Sequence, residues 1–154
     1  MAWFSRARIS DTELAALIRA PGLEVYALVV NGRDEGLLEL DFREAGQCQL
    51  TYFGVTGSLI GAGAARFLMN RALELAWSRD LRRVWVHTCT LDHPSAVAFY
   101  QRSGFRPFRR QIDNRRLASW AAALRQRNQV DIFSVILFTC YFQLFACVAI
   151  FEET

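Results

Sequence analysis

Apolar and polar positions alternate along three successive stretches, and then a helical repeat takes over. Residues 23–30, LEVYALVV, are rich in β-branched and aromatic side chains and predict a strand. Asn31-Gly32 follows as a tight-turn signal. Residues 35–42, EGLLELDF, predict a second strand. Ala45-Gly46 turns the chain again, and residues 47–55, QCQLTYFGV, alternate as a third. Three consecutive strands joined by short turns make an antiparallel meander. Ahead of them, Ser10-Asp-Thr-Glu13 has the form of a capping box, opening a helix that runs to about Arg19 and stops at Pro21-Gly22.

The period then changes. Apolar side chains at Ala64, Leu68, Ala72, Leu75 and Ala76 form a helical stripe within residues 61–79. Residues 82–91, RRVWVHTCTL, predict a buried strand. A strand at 52–55, a helix and a strand at 83–90 constitute a βαβ crossover, which requires parallel pairing. Pro94 is placed to start a second helix with His93 at its N-cap and Gly104 at C′. FRPFRRQI predicts one more strand. The fold class is α/β, an α+β mixed sheet built as an antiparallel meander followed by a βαβ crossover.

The last part of the chain reads differently. No glycine follows Gly104 and no proline follows Pro107. The expected division is a domain over 1–110, a helical linker over 111–131 and an apolar tail over 132–151. The tail carries no charged residue and is long enough to cross a bilayer as one added helix. Three readings stay open for it. It is a membrane anchor, with the arginines at 109, 110, 115, 116, 125 and 127 holding the domain on the cytoplasmic side. It is a helix packed on the domain or on a second subunit. Or it is a tail with no native role.

Composition narrows the function classes. The chain has 154 residues, enough for one core, and 53% hydrophobic with 13% aromatic residues excludes a disordered chain. A net charge of +3, with no basic block interleaved with aromatics, gives no reason to expect a nucleic-acid partner. Every basic residue is arginine, so mechanisms that need a lysine, a Walker loop or a Schiff base, are excluded. The cysteines, Cys48, Cys89, Cys140 and Cys147, form no Cys-x-x-Cys pair, and the first residues lack a secretory signal. The expectation is a cytoplasmic protein with reduced thiols.

The candidate chemistry begins at Ser58-Leu-Ile-Gly61-Ala-Gly63, between a strand and a helix. A Rossmann fingerprint fails because the strands before it are antiparallel and Arg66 stands at its third position. A simpler anion site remains. Glycines let backbone N–H groups come close to an anion, and the start of a helix favours negative charge. No acid occurs between Glu44 and Glu74, so the helix start carries no anion of its own. The alternative is that Gly61 and Gly63 only let the helix pack closely on the sheet. Downstream, Ala96-Val-Ala-Phe-Tyr100-Gln-Arg-Ser-Gly104-Phe105 places a tyrosine and a Gly-Phe pair at fixed spacing. His87, Cys89 and His93 lack the spacing of a zinc set, no metal is expected, and ordinary packing accounts for them. Glu39 and Asp41, two residues apart, fall on one strand face. Either is a candidate base or an amine-binding anion. Trp77 and Trp85 are core or subunit-contact residues, which leaves an oligomer open.

The two motifs together, over about residues 23–110, resemble the GNAT family of N-acetyltransferases. The resemblance implies acetyl-coenzyme A as acyl donor and an amine of unknown identity as acceptor. In such a domain the backbone N–H groups of Leu59, Ile60, Gly61, Ala62, Gly63 and Ala64 hold the pyrophosphate. The strand through Phe53, Gly54 and Val55 pairs with the pantetheine arm, in a gap that opens toward strand 83–90. Tyr100 is implied as the general acid for the departing thiolate. His93 stands where the family often has an asparagine that fixes the cofactor arm. Ser58 replaces the family's Gln or Arg, offering a hydroxyl, and Arg66 is placed to supply the missing charge. About 22 residues precede the meander, room for one helix, and no closing strand follows 105–112. The expectation is therefore a truncated or atypical member. A degenerate module that binds coenzyme A without turnover, and a small membrane-anchored interaction protein, are the alternatives.

Overall fold

A computed structural model describes residues 6, 9–89, 92–113 and 146–153. Helix α1 (Asp11–Ile18) opens with the expected capping box, in which Ser10 and Glu13 satisfy each other's backbone N–H. Strands β1 (Leu23–Val30), β2 (Arg33–Asp41) and β3 (Gln47–Val55) form the antiparallel meander. A short 3-10 turn (Gly57–Leu59) leads to helix α2 (Ala64–Trp77), and β4 (Arg83–Cys89) returns parallel to β3. Helix α3 (Ala96–Arg102) and strand β5 (Arg106–Asp113) follow. Helix α3 starts two residues after Pro94, because the His93 carbonyl and ring hold residues 94–95 in a preceding turn. Gly104, at φ +102°, ends it.

The end of the chain departs from expectation. Residues 146–153 form strand β6 (Ala146–Glu153), which inserts between β4 and β5 and pairs antiparallel with both, giving the order β1-β2-β3-β4-β6-β5. The closing strand is therefore present, and the added helix over 132–151 is corrected at 146–151. A strand paired on both sides within a sheet can be written as an unbroken apolar run, which mimics a membrane span in sequence. Among the described residues no helix is long and apolar enough to cross a membrane. The helical linker expected over 111–131 is corrected at 111–113, which end strand β5, and the rest of it, like the tail at 132–145, lies outside the described residues.

The core lies between α2, α3 and one face of the sheet. Leu38, Leu40, Cys48, Leu50, Val84 and Val86 meet Leu68, Met69, Ala72 and Ala76 of α2. Ala72 and Ala76 are fully buried, and their small side chains let the helix sit close to the strands. One irregularity sets the site. Glu39 pairs with Tyr52 and Leu40 with Leu50, so Thr51 is the extra residue of a bulge in β3. Simple alternation from Leu50 would put Tyr52 on the core face. The bulge inverts the strand, turning Phe53 and Val55 to the core and Tyr52 to the other face, under the Arg6 guanidinium.

Candidate active site

The first component is a slot in the sheet. Strands β3 and β4 pair only from Gln47 with Arg83 to Leu50 with Val86. Beyond that point β3 stays with β2, through Leu38–Phe53, Leu37–Gly54 and Gly36–Val55. Strand β4 meanwhile stays with β6 as far as Cys89. The bulge and the hold of β6 thus separate two adjacent strands. The edge of β3 at Phe53, Gly54 and Val55 that faces β4 is left without a strand partner among the described residues, so its backbone groups are available to an extended ligand.

The second component is the glycine turn at the end of β3. Gly61 and Gly63 both have φ +83°, and a Cβ added at either would meet nothing within 4 Å. Close packing of helix on sheet is therefore not their reason; the left-handed backbone is. Leu59, Ile60 and Ala62 spend their N–H groups inside the turn, on Thr56, Gly57 and Leu59 carbonyls. The first N–H to donate back into α2 is that of Phe67, to Gly63. Among the described residues, Gly61, Gly63, Ala64, Ala65 and Arg66 donate to no backbone carbonyl. These five groups, at the positive end of α2, are the donors that could hold an anion there. The Ser58 hydroxyl contacts Glu35 Oε2 at 3.1 Å and Thr56 Oγ1 at 2.9 Å. It is thus engaged beside these donors. Hydrogen bonds from Thr56, then Ser58, hold the Glu35 carboxyl below its ordinary range. Arg66 is exposed in the first turn of α2.

The third component is Tyr100, buried on α3. Its ring packs edge-on against Phe53, Phe99 and Phe105, with centroids 6.3, 5.8 and 6.0 Å away. Phe53 and Phe99 stack at 5.6 Å. Tyr100 therefore sits against the unpaired part of β3. Burial, reinforced by the negative charge of Asp92, pushes its phenol above the ordinary value, so it stays protonated. Asp92 was not singled out by the sequence. Its Oδ2 accepts from Thr88 Oγ1 at 2.7 Å and from the Cys89 N–H at 3.0 Å, which fixes the end of β4 to the start of the α3 turn. An aspartate two residues before a proline was the available signal. The His93 ring lies against Ser95, Nδ1 to Oγ at 2.7 Å, and so helps fix that same turn.

Glu39 and Asp41 occupy the other face of the sheet, each bound to an arginine. Arg6 Nη2 donates to Glu39 Oε1 at 2.6 Å. Arg43 binds Asp41 through its backbone N–H at 3.0 Å and its Nε at 2.9 Å. Burial raises the Glu39 carboxyl although Arg6 opposes it, whereas Arg43 lowers that of Asp41. A shallow cavity of about 410 Å³ opens on this face, lined by Asp41, Arg43, Glu44, Gln47, Gln49 and Trp85.

The Arg6–Glu39 pair has a testable pH signature. A carboxyl raised in the native state keeps its proton to higher pH than in the unfolded chain. Its contribution is therefore favourable at low pH and is lost as pH rises through the native value. Arg6→Met removes the opposing cation and moves that value further up. The variant should lose about 2–3 kcal/mol at about pH 8 and much less near about pH 5. Urea denaturation at the two pH values measures the difference, and an equal loss at both would show that Arg6 acts only by packing.

A profile of the acetyltransferase (GNAT) family matches residues 5–105. No curated protein matches the sequence. Solved structures of similar fold include a GNAT family acetyltransferase from Elizabethkingia anophelis with acetyl-CoA bound. It is 12% identical, with 94% of this chain and 82% of that one covered and a TM-score of 0.65. The ribosomal-protein-S18-alanine N-acetyltransferase from Escherichia coli is 13% identical, with 94% and 76% covered and a TM-score of 0.64. A variant of spermidine N-acetyltransferase from Vibrio cholerae is 18% identical, with 94% and 75% covered and a TM-score of 0.62. At these identities the structures establish a shared fold. With the family profile spanning the meander, the glycine turn and the Tyr100 helix, the chain belongs to the GNAT acetyltransferase family.

Proposed function

We propose that the protein transfers the acetyl group of acetyl-coenzyme A to a primary amine by direct attack, with no acyl-enzyme intermediate. The observation that carries this reading is the slot where β3 leaves β4 after the Leu50–Val86 pair, with the glycine turn at its end and Tyr100 against its wall. The pyrophosphate rests on the N–H groups of Gly61, Gly63 and Ala64 to Arg66, with the Arg66 side chain adding charge. The pantetheine arm pairs with the backbone of Phe53 to Val55 as an added strand. Strand N–H groups in the slot polarise the thioester carbonyl. Tyr100 protonates the leaving thiolate, and His93 steadies the turn that carries the Tyr100 helix. The acceptor enters over the opposite face, past the cavity bounded by Asp41 and Trp85. Glu39 and Asp41 give that face anionic character for a cationic amine.

Two amines follow from the acceptors named for the similar enzymes: spermidine and a peptide beginning with alanine. The full chain is mixed with acetyl-coenzyme A and each amine, free thiol is followed, and the amine is weighed by mass spectrometry. The expected result is thiol release that depends on the amine, with one acetyl group added to it. Binding of acetyl-coenzyme A without amine-dependent release would favour a binding module without turnover. Absence of binding would end the reading.

A further inference from the structure

We infer that the Thr51 side chain is catalytic: its hydroxyl donates a hydrogen bond to the thioester carbonyl oxygen as that oxygen gains charge. The inference rests on the acetyl-transfer reading above. Thr51 is the extra residue of the β3 bulge, between Leu50, which pairs with Leu40, and Tyr52, which pairs with Glu39. On the other side of β3, pairing with β4 stops at Leu50 with Val86. Among the described residues Thr51 is thus the one position of β3 paired with neither neighbouring strand, and it stands at the apex where the slot opens. Its Oγ1 is buried and has no hydrogen-bond partner among the described residues.

A buried hydroxyl normally finds a partner, and one that does not costs stability. Valine would fill nearly the same volume without that cost, so packing alone gives no reason for a hydroxyl here. The polar groups nearest along the strands are engaged elsewhere. Glu39, opposite the bulge, holds Arg6, and the Tyr52 ring lies under the same guanidinium. The Gln49 amide lies 3.4 Å from the His87 ring. The path of the substrate supplies the missing acceptor. From the pyrophosphate at residues 61–66 the arm runs back along Val55, Gly54 and Phe53. Continued past Phe53, it meets the apex, because β3 and β4 converge on the Leu50–Val86 pair. The sulfur then lies near Phe53, against which Tyr100 packs, and the carbonyl one step further, at Thr51.

The step balances as follows. The neutral amine nitrogen bonds to the thioester carbon, and the carbonyl π pair moves onto the oxygen. The Thr51 hydroxyl keeps its proton and shares it with that oxygen. The pair returns to re-form the carbonyl, the C–S bond breaks, and the thiolate takes the phenolic proton of Tyr100. The proton lost by the amine goes to water, from which the phenolate is restored, leaving an amide and coenzyme A thiol. A donor fixed in advance binds the oxyanion more strongly than the neutral carbonyl, so its effect falls on kcat.

The test uses the full chain as wild type, Thr51→Val and Thr51→Ser. The valine variant should melt no lower than the wild type, since it loses an unpaired group. Calorimetric titration with coenzyme A, which has no thioester, should give one affinity for all three. With acetyl-coenzyme A and whichever of spermidine or the alanine peptide the wild type acetylates, kcat should fall about 100-fold in Thr51→Val and stay within about tenfold in Thr51→Ser. Infrared difference spectra of bound acetyl-coenzyme A, isotope-labelled at the thioester carbonyl, read the contact directly. The band should lie at lower frequency in the wild type than in Thr51→Val, because donation weakens the C=O bond. Wild-type kcat in Thr51→Val, a melting point below the wild type's, lost affinity for coenzyme A, a serine variant as slow as the valine one, or an unshifted band would overturn the inference and leave acetyl transfer standing. A wild type that binds acetyl-coenzyme A but acetylates neither amine would count against the transfer reading, and the band would then decide on the Thr51 contact alone. Absence of acetyl-coenzyme A binding would take down both.

Discussion

Replacing Gly61 and Gly63 together by valine is expected to weaken acetyl-coenzyme A binding by roughly 30- to 1000-fold while the core stays folded. Both glycines have φ +83°, and neither position crowds a neighbour when a Cβ is added. The cost is therefore in the backbone, about 1–2 kcal/mol for each L-residue held in the left-handed region. Two such positions give about 2–4 kcal/mol, which sets the affinity range. The chain escapes the strain by re-forming the turn, which displaces the N–H groups of Gly61 and of Gly63 to Arg66 from the proposed pyrophosphate site. Asparagine tolerates this region, so the paired Asn variant should stay within about tenfold of the wild type. Calorimetric titration beside thermal unfolding separates binding from stability. A valine pair that binds normally would remove the turn from the site.

Tyr100→Phe should lower kcat by about 100-fold and leave acetyl-coenzyme A affinity unchanged. The ring remains packed among Phe53, Phe99 and Phe105, so the glycine turn and the slot keep their shape. Only a buried hydroxyl is lost, at about 1 kcal/mol of stability. The direction of the phenol's shift supports the role, since burial keeps the proton on the residue until a basic thiolate draws it. Steady-state rates in both acetyl-coenzyme A and amine make the measurement. A kcat within about twofold of the wild type would mean that the thiolate leaves without this acid.

What could be read from the sequence followed the range of the interactions involved. The capping box at Ser10 and Glu13, the turn at Asn31-Gly32 and the stripe from Ala64 to Ala76 are local patterns, and each folds as read. The parallel return of β4 followed from the crossover alone. The glycine turn was legible as a break between strand and helix, but not which of its N–H groups were already spent, since that depends on bonds within the turn. The bulge at Thr51 left no trace, because apolar residues stand at both 52 and 53 and either register looks sound. The link between Arg6 and Glu39 spans 33 positions, so the carboxylate looked free when it was not. Strand β6 was hidden because an uncharged run serves a central strand and a lipid-facing helix equally well.

The place of β6 has a consequence for the order in which the molecule can assemble. The pairs that join residues 84–89 to 148–153 close the middle of the sheet with segments far apart along the chain. As the polypeptide leaves the ribosome, the meander and α2 can associate early. Strand β4, however, must wait for its second neighbour, and among the described residues β5 has no strand partner until β6 arrives. Contacts of such long range slow folding, because the loop must be closed before any pairing rewards it. During that interval the nascent chain carries bare strand edges of the kind that recruit other chains. The strand that holds β4 beyond the slot is thus also the last of the described strands to be synthesised and the one that closes the sheet.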